Sequence, residues 1–196
     1  MTNCDFLVIG GGIIGISIAR ELKKRHPDCK IILLEKEKQC GLHASGRNSG
    51  VLHAGFYYSS DSLKARFTRQ GNKQLNEYCQ SKNLKINKCG KLVVAQNEAE
   101  LDNLEELFRR GKQNGVSLNK VSEAEAQDIE PRVKTYGQAL FSPTTATVDP
   151  VEVLSSLHKD IQSDGIEVKT GEKYIGRNNN VVQTQTMSYS AGYIIN

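Results

Sequence analysis

DFLVIGGGIIGISIARELKKRH, residues 5–26, joins an apolar run, three consecutive glycines and a helical pattern. DFLVI (5–9) is short and continuously apolar, as a buried parallel strand requires. Gly10-Gly11-Gly12-Ile13-Ile14-Gly15 follows at once. Ile14, Ile18 and Leu22 then recur at the spacing of one helix face. KIILLE (30–35) is a second apolar run and ends in an acid. The order is strand, glycine turn, helix, strand, acid.

Each part of that order has a chemical use. Gly10 permits the tight turn, Gly12 lets the backbone approach a pyrophosphate, and Gly15 lets the helix lie close on the sheet. The helix N-terminus presents free N–H groups and a partial positive charge to phosphates. Glu35 stands where an acid accepts hydrogen bonds from a ribose diol. A glycine pattern alone is weak evidence; with both strands, the helix and the acid in place it signals a dinucleotide site. NAD and FAD both use such a unit. Here the second strand runs into a long glycine- and serine-rich loop, GLHASGRNSGVLHAGFYY (41–58). A loop of that kind can offer N–H groups and hydroxyls to a large ligand across the sheet end, which suits a flavin dinucleotide better than nicotinamide.

The chain has 196 residues, enough for one good core or two small domains. Its hydrophobic content of 38% and charged content of 24% are ordinary for a globular protein. A net charge of +4, spread among acids, does not point to nucleic acid. RNNN at 177–180 reads as a turn. The five cysteines form no CxxC pair and no even set, which suggests reduced thiols. The first apolar run is broken by glycines, so neither a signal peptide nor a membrane span is expected, and a cytoplasmic location is the default. No cysteine or carboxylate spacing around His43 and His53 resembles a metal site. Ser45 and Ser49 lack a partnered base, which argues against a hydrolase.

The chain resembles the FAD-dependent oxidoreductases of the D-amino-acid oxidase and glycerol-3-phosphate dehydrogenase superfamily, and within it the L-2-hydroxyglutarate oxidase/dehydrogenase branch. VIGGGIIGISIARELKKRHP, LLEKEK, HASGRNSGVLHAGFYY, SLKARFTRQGNKQLNEYC and SPTTATVDP carry the resemblance. It implies that Gly10, Gly12, Ile14 and Gly15 hold the FAD pyrophosphate, that Glu35 holds the adenosine ribose, and that Lys36 lies at the adenine end. Ser45, Arg47, Asn48, Ser49 and Gly50 would line the stretch from pyrophosphate to flavin, and the backbone near Lys173 would touch adenine. In some relatives a histidine in a similar His-Ala-x-Gly setting is bonded to the flavin ring. His43 is therefore either a covalent or close flavin contact, or a polar loop residue bonding to backbone. His53, in VLHAG, either takes a proton from a substrate hydroxyl or orients the loop. Tyr57 and Tyr58 either meet a substrate carboxylate or pack on the sheet; of the two, Tyr58 is the candidate for a catalytic role beside His53.

The remaining pattern divides the chain. SLKARFTRQGNKQLNEYCQSKN (62–83) predicts a long helix, with Leu63, Phe67, Gly71, Leu75 and Cys79 as a buried stripe. KINKCGKLVVAQ (85–96) is strand-like. Asn97 with Glu100, and Ser122 with Glu125, read as capping boxes. Asp149-Pro150-Val151-Glu152 starts another helix, and IEVKT, KYI, VVQTQT and GYIIN predict strands that return to the nucleotide-binding sheet. The expected fold is α/β: a Rossmann-like FAD-binding domain with a parallel sheet, in two parts (1–83 and 149–196), around an inserted and incomplete β-rich substrate domain (84–148).

The expected activity is oxidation of a 2-hydroxy acid, L-2-hydroxyglutarate first among them, with FAD as cofactor and oxygen or a quinone as electron acceptor. Glycerol 3-phosphate and amino acids are the neighbouring substrates. In the resembling enzymes the strand at GYIIN leads into further flavin and substrate segments, so an N-terminal portion of a longer enzyme is expected. The alternatives are an FAD-binding remnant without turnover, a chain that pairs with a second polypeptide carrying the other half, and an NAD-binding module. Peripheral membrane association is a further partner that the resemblance leaves open.

Overall fold

The computed structural model describes residues 1–196. Two compact units divide the chain: Met1–Ser49 with Pro150–Asn196, and Gly50–Asp149.

The first unit is built on a six-stranded sheet. Strands β1 (Thr2–Ile9) and β2 (Ile31–Glu35) are joined by helix α1 (Ile13–Arg25). The second unit's strands are β3 (Val51–Leu52), β4 (Ile86–Asn87), β5 (Lys91–Val94), β6 (Asn119–Ser122), β7 (Gln138–Ser142) and β8 (Ala146–Val148). Its helices are α2 (Leu63–Ser81), α3 (Leu101–Gln113) and α4 (Glu123–Ile129). The chain then returns to the first unit through α5 (Pro150–Ser163), β9 (Glu167–Thr170), β10 (Tyr174–Asn178), β11 (Val181–Thr184) and β12 (Ser188–Ile195).

The first sheet has the order β10-β11-β12-β1-β2-β9. β12, β1, β2 and β9 run parallel, and β10 and β11 add an antiparallel hairpin. β2 is buried at every position, as its unbroken IILLE requires. Leu7, Ile32, Leu34, Val182 and Tyr189 share one core cluster. α5 contributes Val153, Leu154, Leu157 and Ile161 to the interior of this unit. The RNNN turn joins β10 to β11, with Asn179 in the left-handed region at φ 53°.

Two helical faces differ from the sequence expectation. Ile14 is 72% exposed, and α1 buries Ile16 and Ala19 instead. In α2, Leu63 and Phe67 are 62% and 55% exposed, while Ala65 and Cys79 are buried. The reason is geometric. Residues four apart advance about 40° around a helix of 3.6 residues per turn, so a strict every-fourth pattern winds off one face over several turns. The face of α2 that turns inward mixes steps of three and four. Of the two expected capping boxes, Ser122 with Glu125 forms fully. Asn97 makes no side-chain cap, and Glu100 instead accepts the Gln96 N–H at 2.8 Å.

The second unit holds two three-stranded sheets, β3-β8-β4 and β5-β7-β6. It begins at Gly50 rather than at residue 84, because α2 is tied into it by polar contacts. Arg69 Nη1 donates to the Asn114 carbonyl at 2.6 Å, and Asn72 Nδ2 donates to the Leu52 carbonyl at 2.9 Å. Asn114, only 7% exposed at the end of α3, clamps the segment after β3: its Nδ2 donates to Gly55 O at 3.0 Å and Tyr58 O at 2.9 Å. Asn114→Ala leaves both carbonyls without this donor. We expect a loss of about 2 kcal/mol and a melting temperature lowered by about 4–8 °C, read by thermal circular dichroism. No helix is long and apolar enough to cross a membrane.

Candidate functional site

The glycine turn after β1 leaves backbone bare where a side chain would otherwise stand. Gly10 has φ +110°, a conformation that favours glycine, and no atom lies within 4 Å of the place its Cβ would occupy. Gly15 is required by contact: a Cβ there would meet the Gly10 carbonyl oxygen at 1.9 Å. This close approach brings the first turn of α1 against the end of β1. Gly12 is the N-cap residue and makes no side-chain cap. The first intrahelical bond runs from Ile16 N–H to Gly12 O at 3.0 Å, so the N–H groups of Gly12, Ile13, Ile14 and Gly15 point out of the helix without intrahelical acceptors.

Ser45 answers one of them. It stands in a single 3-10 turn, Ala44–Gly46, and its Oγ accepts the Ile13 N–H at 3.0 Å. Asn48 holds that turn in place, donating from Nδ2 to Ala44 O at 3.1 Å and Ser45 O at 2.8 Å. A cavity of about 480 Å³ opens over the glycine turn, lined by Gly10, Gly12, Ile14, Gly15, Ala44, Ser45 and Asn48 among others. Ile14, excluded from the core, therefore forms part of the cavity wall.

Glu35 ends β2 beside the same turn and is 7% exposed. Gly11 N–H donates to Oε2 at 2.7 Å and Glu37 N–H donates to Oε1 at 2.9 Å. Both oxygens are fixed by backbone, and each keeps lone-pair capacity for a further donor. The backbone after β9 is tied to this acid's own strand end: Glu172 N–H donates to Glu35 O at 2.9 Å and Gly171 N–H to Glu37 O at 2.8 Å. That brings the segment holding Lys173 to the Glu35 end of the site. Lys36 pairs with Glu37 at 3.9 Å.

His43 is turned to Glu37, with its Nε2 2.9 Å from Oε1. The His43 hydrogen bond pulls the Glu37 carboxyl below its ordinary range. This contact holds His43 at the Glu35–Glu37 end of the unit. Arg47 is exposed and lines a separate cavity of about 140 Å³ with Gly41, Gly46, Leu154 and His158, not the one over the glycine turn. Ser49 is exposed at the end of the first unit, and Gly50, buried with φ 65°, opens the second.

The candidates for substrate chemistry lie in the second unit. His53 follows β3, and its carbonyl is held by Asn72 Nδ2 at 3.3 Å. His53 is an exposed residue; partial desolvation, with the positive charge of Lys91, lowers the imidazole from its ordinary value and favours the neutral form that can accept a proton. Tyr57 packs on buried Phe56 with ring centroids 4.3 Å apart, and Lys91 Nζ lies 4.6 Å from its centroid. The Tyr58 ring faces Lys64 Nζ at 4.5 Å. Asn72, Lys91 and Asn114 carry no local sequence signal. Their positions become meaningful only when strands distant in sequence pair.

The sequence profile of the FAD dependent oxidoreductases matches residues 5–196. The chain belongs to that family. The chain is 41% identical over 170 residues to the mitochondrial L-2-hydroxyglutarate dehydrogenase of Homo sapiens, covering 86% of this chain and 36% of that protein. It is 37% identical over 174 residues to the L-2-hydroxyglutarate dehydrogenase of Escherichia coli, covering 89% and 41%. Among solved structures it matches an L-alpha-glycerophosphate oxidase from Mycoplasma pneumoniae with FAD bound. That match has a TM-score of 0.88 and 28% identity, covering 99% of this chain and 53% of that one. A glycine oxidase from Geobacillus kaustophilus shares the fold, with a TM-score of 0.88 at 21% identity over 99% of this chain and 55% of that one. The chain spans less than half the length of the two curated dehydrogenases.

FAD, the family's cofactor, can be tested against the residues present. A pyrophosphate needs bare backbone and N–H donors, and the turn supplies glycine backbone with the N–H groups of Gly12, Ile14 and Gly15 at the start of α1, while those of Gly10, Gly11 and Ile13 bond to Leu34 O, Glu35 and Ser45. A ribose diol needs a fixed acceptor, and the Glu35 carboxylate is held by two backbone amides. The residues of the first unit fit the group.

Proposed function

We propose that this chain holds FAD in its first unit and serves the oxidation of a 2-hydroxy acid, L-2-hydroxyglutarate, to the 2-oxo acid. The observation that carries the reading is the buried Glu35 carboxylate, fixed by two amides, at the end of the glycine turn whose Gly10, Gly12 and Gly15 line a cavity. In this reading Gly10, Gly12, Ile14 and Gly15 hold the pyrophosphate with Ser45 and Asn48, Glu35 takes the ribose hydroxyls, and the segment at Lys173 meets the adenine with Lys36. Bound FAD supplies the acceptor for the hydride that leaves the substrate carbon. His53 takes the proton of the hydroxyl as the C–O bond becomes a carbonyl, so that two electrons and two protons leave the substrate in all. Asn72 holds the His53 backbone for that transfer. The identity to the two L-2-hydroxyglutarate dehydrogenases supports this substrate, and oxygen or a quinone would reoxidise the flavin.

The test begins with the visible spectrum of the chain after FAD addition and desalting. A retained flavin band is expected. Anaerobic L-2-hydroxyglutarate should then bleach it, and His53→Asn should slow the bleaching by about 100-fold or more. A base is active when unprotonated, so the wild-type rate should rise with pH through an apparent pKa below 6.5 and then level off. A retained band that the hydroxy acid never bleaches would leave a flavin-binding chain without this activity. A chain that retains no flavin would overturn the reading at its first step.

A further inference from the structure

His53 and Lys91, 38 positions apart in sequence, are brought to one turn of the second unit. Leu52 pairs with Ala146 across β3 and β8. Gly90 N–H donates to Thr145 O at 3.0 Å. Asn72 Nδ2 reaches both His53 O and Thr144 O at 3.3 Å. The segment 144–146 thus fixes the residue before Lys91 on one side and the residue before His53 on the other. A buried hydroxyl pair, Ser142 with Thr145 at 3.0 Å, ties that segment to the end of β7.

Lys91 is half-buried and makes no ion pair with a carboxylate. Its Nζ lies over the Tyr57 ring, 4.6 Å from the centroid. Arg110, the other half-buried cation of this unit, is matched by Glu106. Removing an ammonium from water without an anion is unfavourable, and an aromatic face compensates only in part. A lysine without a carboxylate partner offers charge to an anion, and the histidine near it offers a ring nitrogen to an acidic hydrogen.

We propose that Lys91 grips a carboxylate of the substrate whose hydroxyl proton passes to His53. The inference rests on the reading of His53 given above. It assigns Lys91 the role of binding charge, and Tyr57 the role of holding the Lys91 ammonium in place. The field of Lys91 on His53 agrees with their proximity.

The test follows the His53 ring by NMR in the FAD-loaded chain, as wild type, Lys91→Met and Lys91→Arg, with L-2-hydroxyglutarate as probe. In the wild type, bound carboxylate offsets the lysine charge and should raise the His53 pKa. Lys91→Met should weaken binding roughly tenfold or more, and Lys91→Arg should restore part of it. Amide spectra of the variants report whether the fold is kept. Equal affinity in wild type and Lys91→Met would overturn the role of Lys91 and leave the His53 reading standing. No response of His53 to the probe in any variant would overturn the inference, and flavin bleaching in the wild type would still decide whether the proposed activity survives.

Discussion

Gly15→Ala is expected to lower the melting temperature of the chain by about 6–12 °C and to abolish retention of FAD on a desalting column. A helix interior ordinarily gains from such a change, by about 0.5–1 kcal/mol. Here the new Cβ would stand 1.9 Å from the Gly10 carbonyl oxygen and 3.1 Å from its carbon. Both are backbone atoms of the turn, so no side-chain rotation relieves the overlap. The helix must lift from β1 or the turn must open, and either movement displaces the N–H groups at the start of α1. Two comparisons isolate the cause. Gly71→Ala, in α2 with no atom within 4 Å of the new methyl, should leave the fold intact or stabilise it slightly. Gly12→Ala meets only the end of the Ser45 side chain, at 3.0 Å, and should spare the melting temperature more than FAD binding. Differential scanning calorimetry and flavin absorbance measure both quantities. A Gly15→Ala chain that melts like the wild type would show that the turn can relax at no cost.

Glu35→Gln is expected to weaken FAD binding by about 10–100-fold, although the side chain keeps its length. The wild-type carboxylate accepts from Gly11 N–H through one oxygen and from Glu37 N–H through the other. An amide has a single acceptor oxygen, so one backbone donor would then face an NH₂ group. At 7% exposure, water offers little replacement. The charge that strengthens a hydrogen bond from a ribose hydroxyl is lost as well. Isothermal titration of FAD, with a thermal melt of each chain alone, separates the two losses. If affinity held while the melting temperature fell, Glu35 would be a structural brace for the turn and not a cofactor ligand.

Legibility differed between the two units. In the first, strand, turn, helix and acid are adjacent in sequence, and their bonding is local to that order. Glu35 could be singled out because the buried run IILLE ends on it. In the second, Ser122 with Glu125 could be read because a capping box closes within one helical turn. The inward face of α2 could not. Its exposed Leu63 and Phe67 follow the apolar spacing, while Asn72 turns inward because distant carbonyls at 52, 53 and 144 require a donor. Arg47 likewise belongs to a loop that reads as one ligand-binding stretch, yet Ser45 and Arg47 line different cavities.

By itself the sequence determined the sheet-helix-sheet unit, its glycine turn, its acid and the family to which the chain belongs. Those are written within one contiguous stretch, residues 5–35, where the apolar runs, the glycines and the acid stand in the order in which they pair. Only the tertiary structure decided that residues 50–83 pack in the second unit, that His43 turns to Glu37, and that Lys91 stands by His53. Each of those outcomes depends on which distant backbone carbonyls and charges are left to be satisfied once the strands have paired, and no local pattern records that.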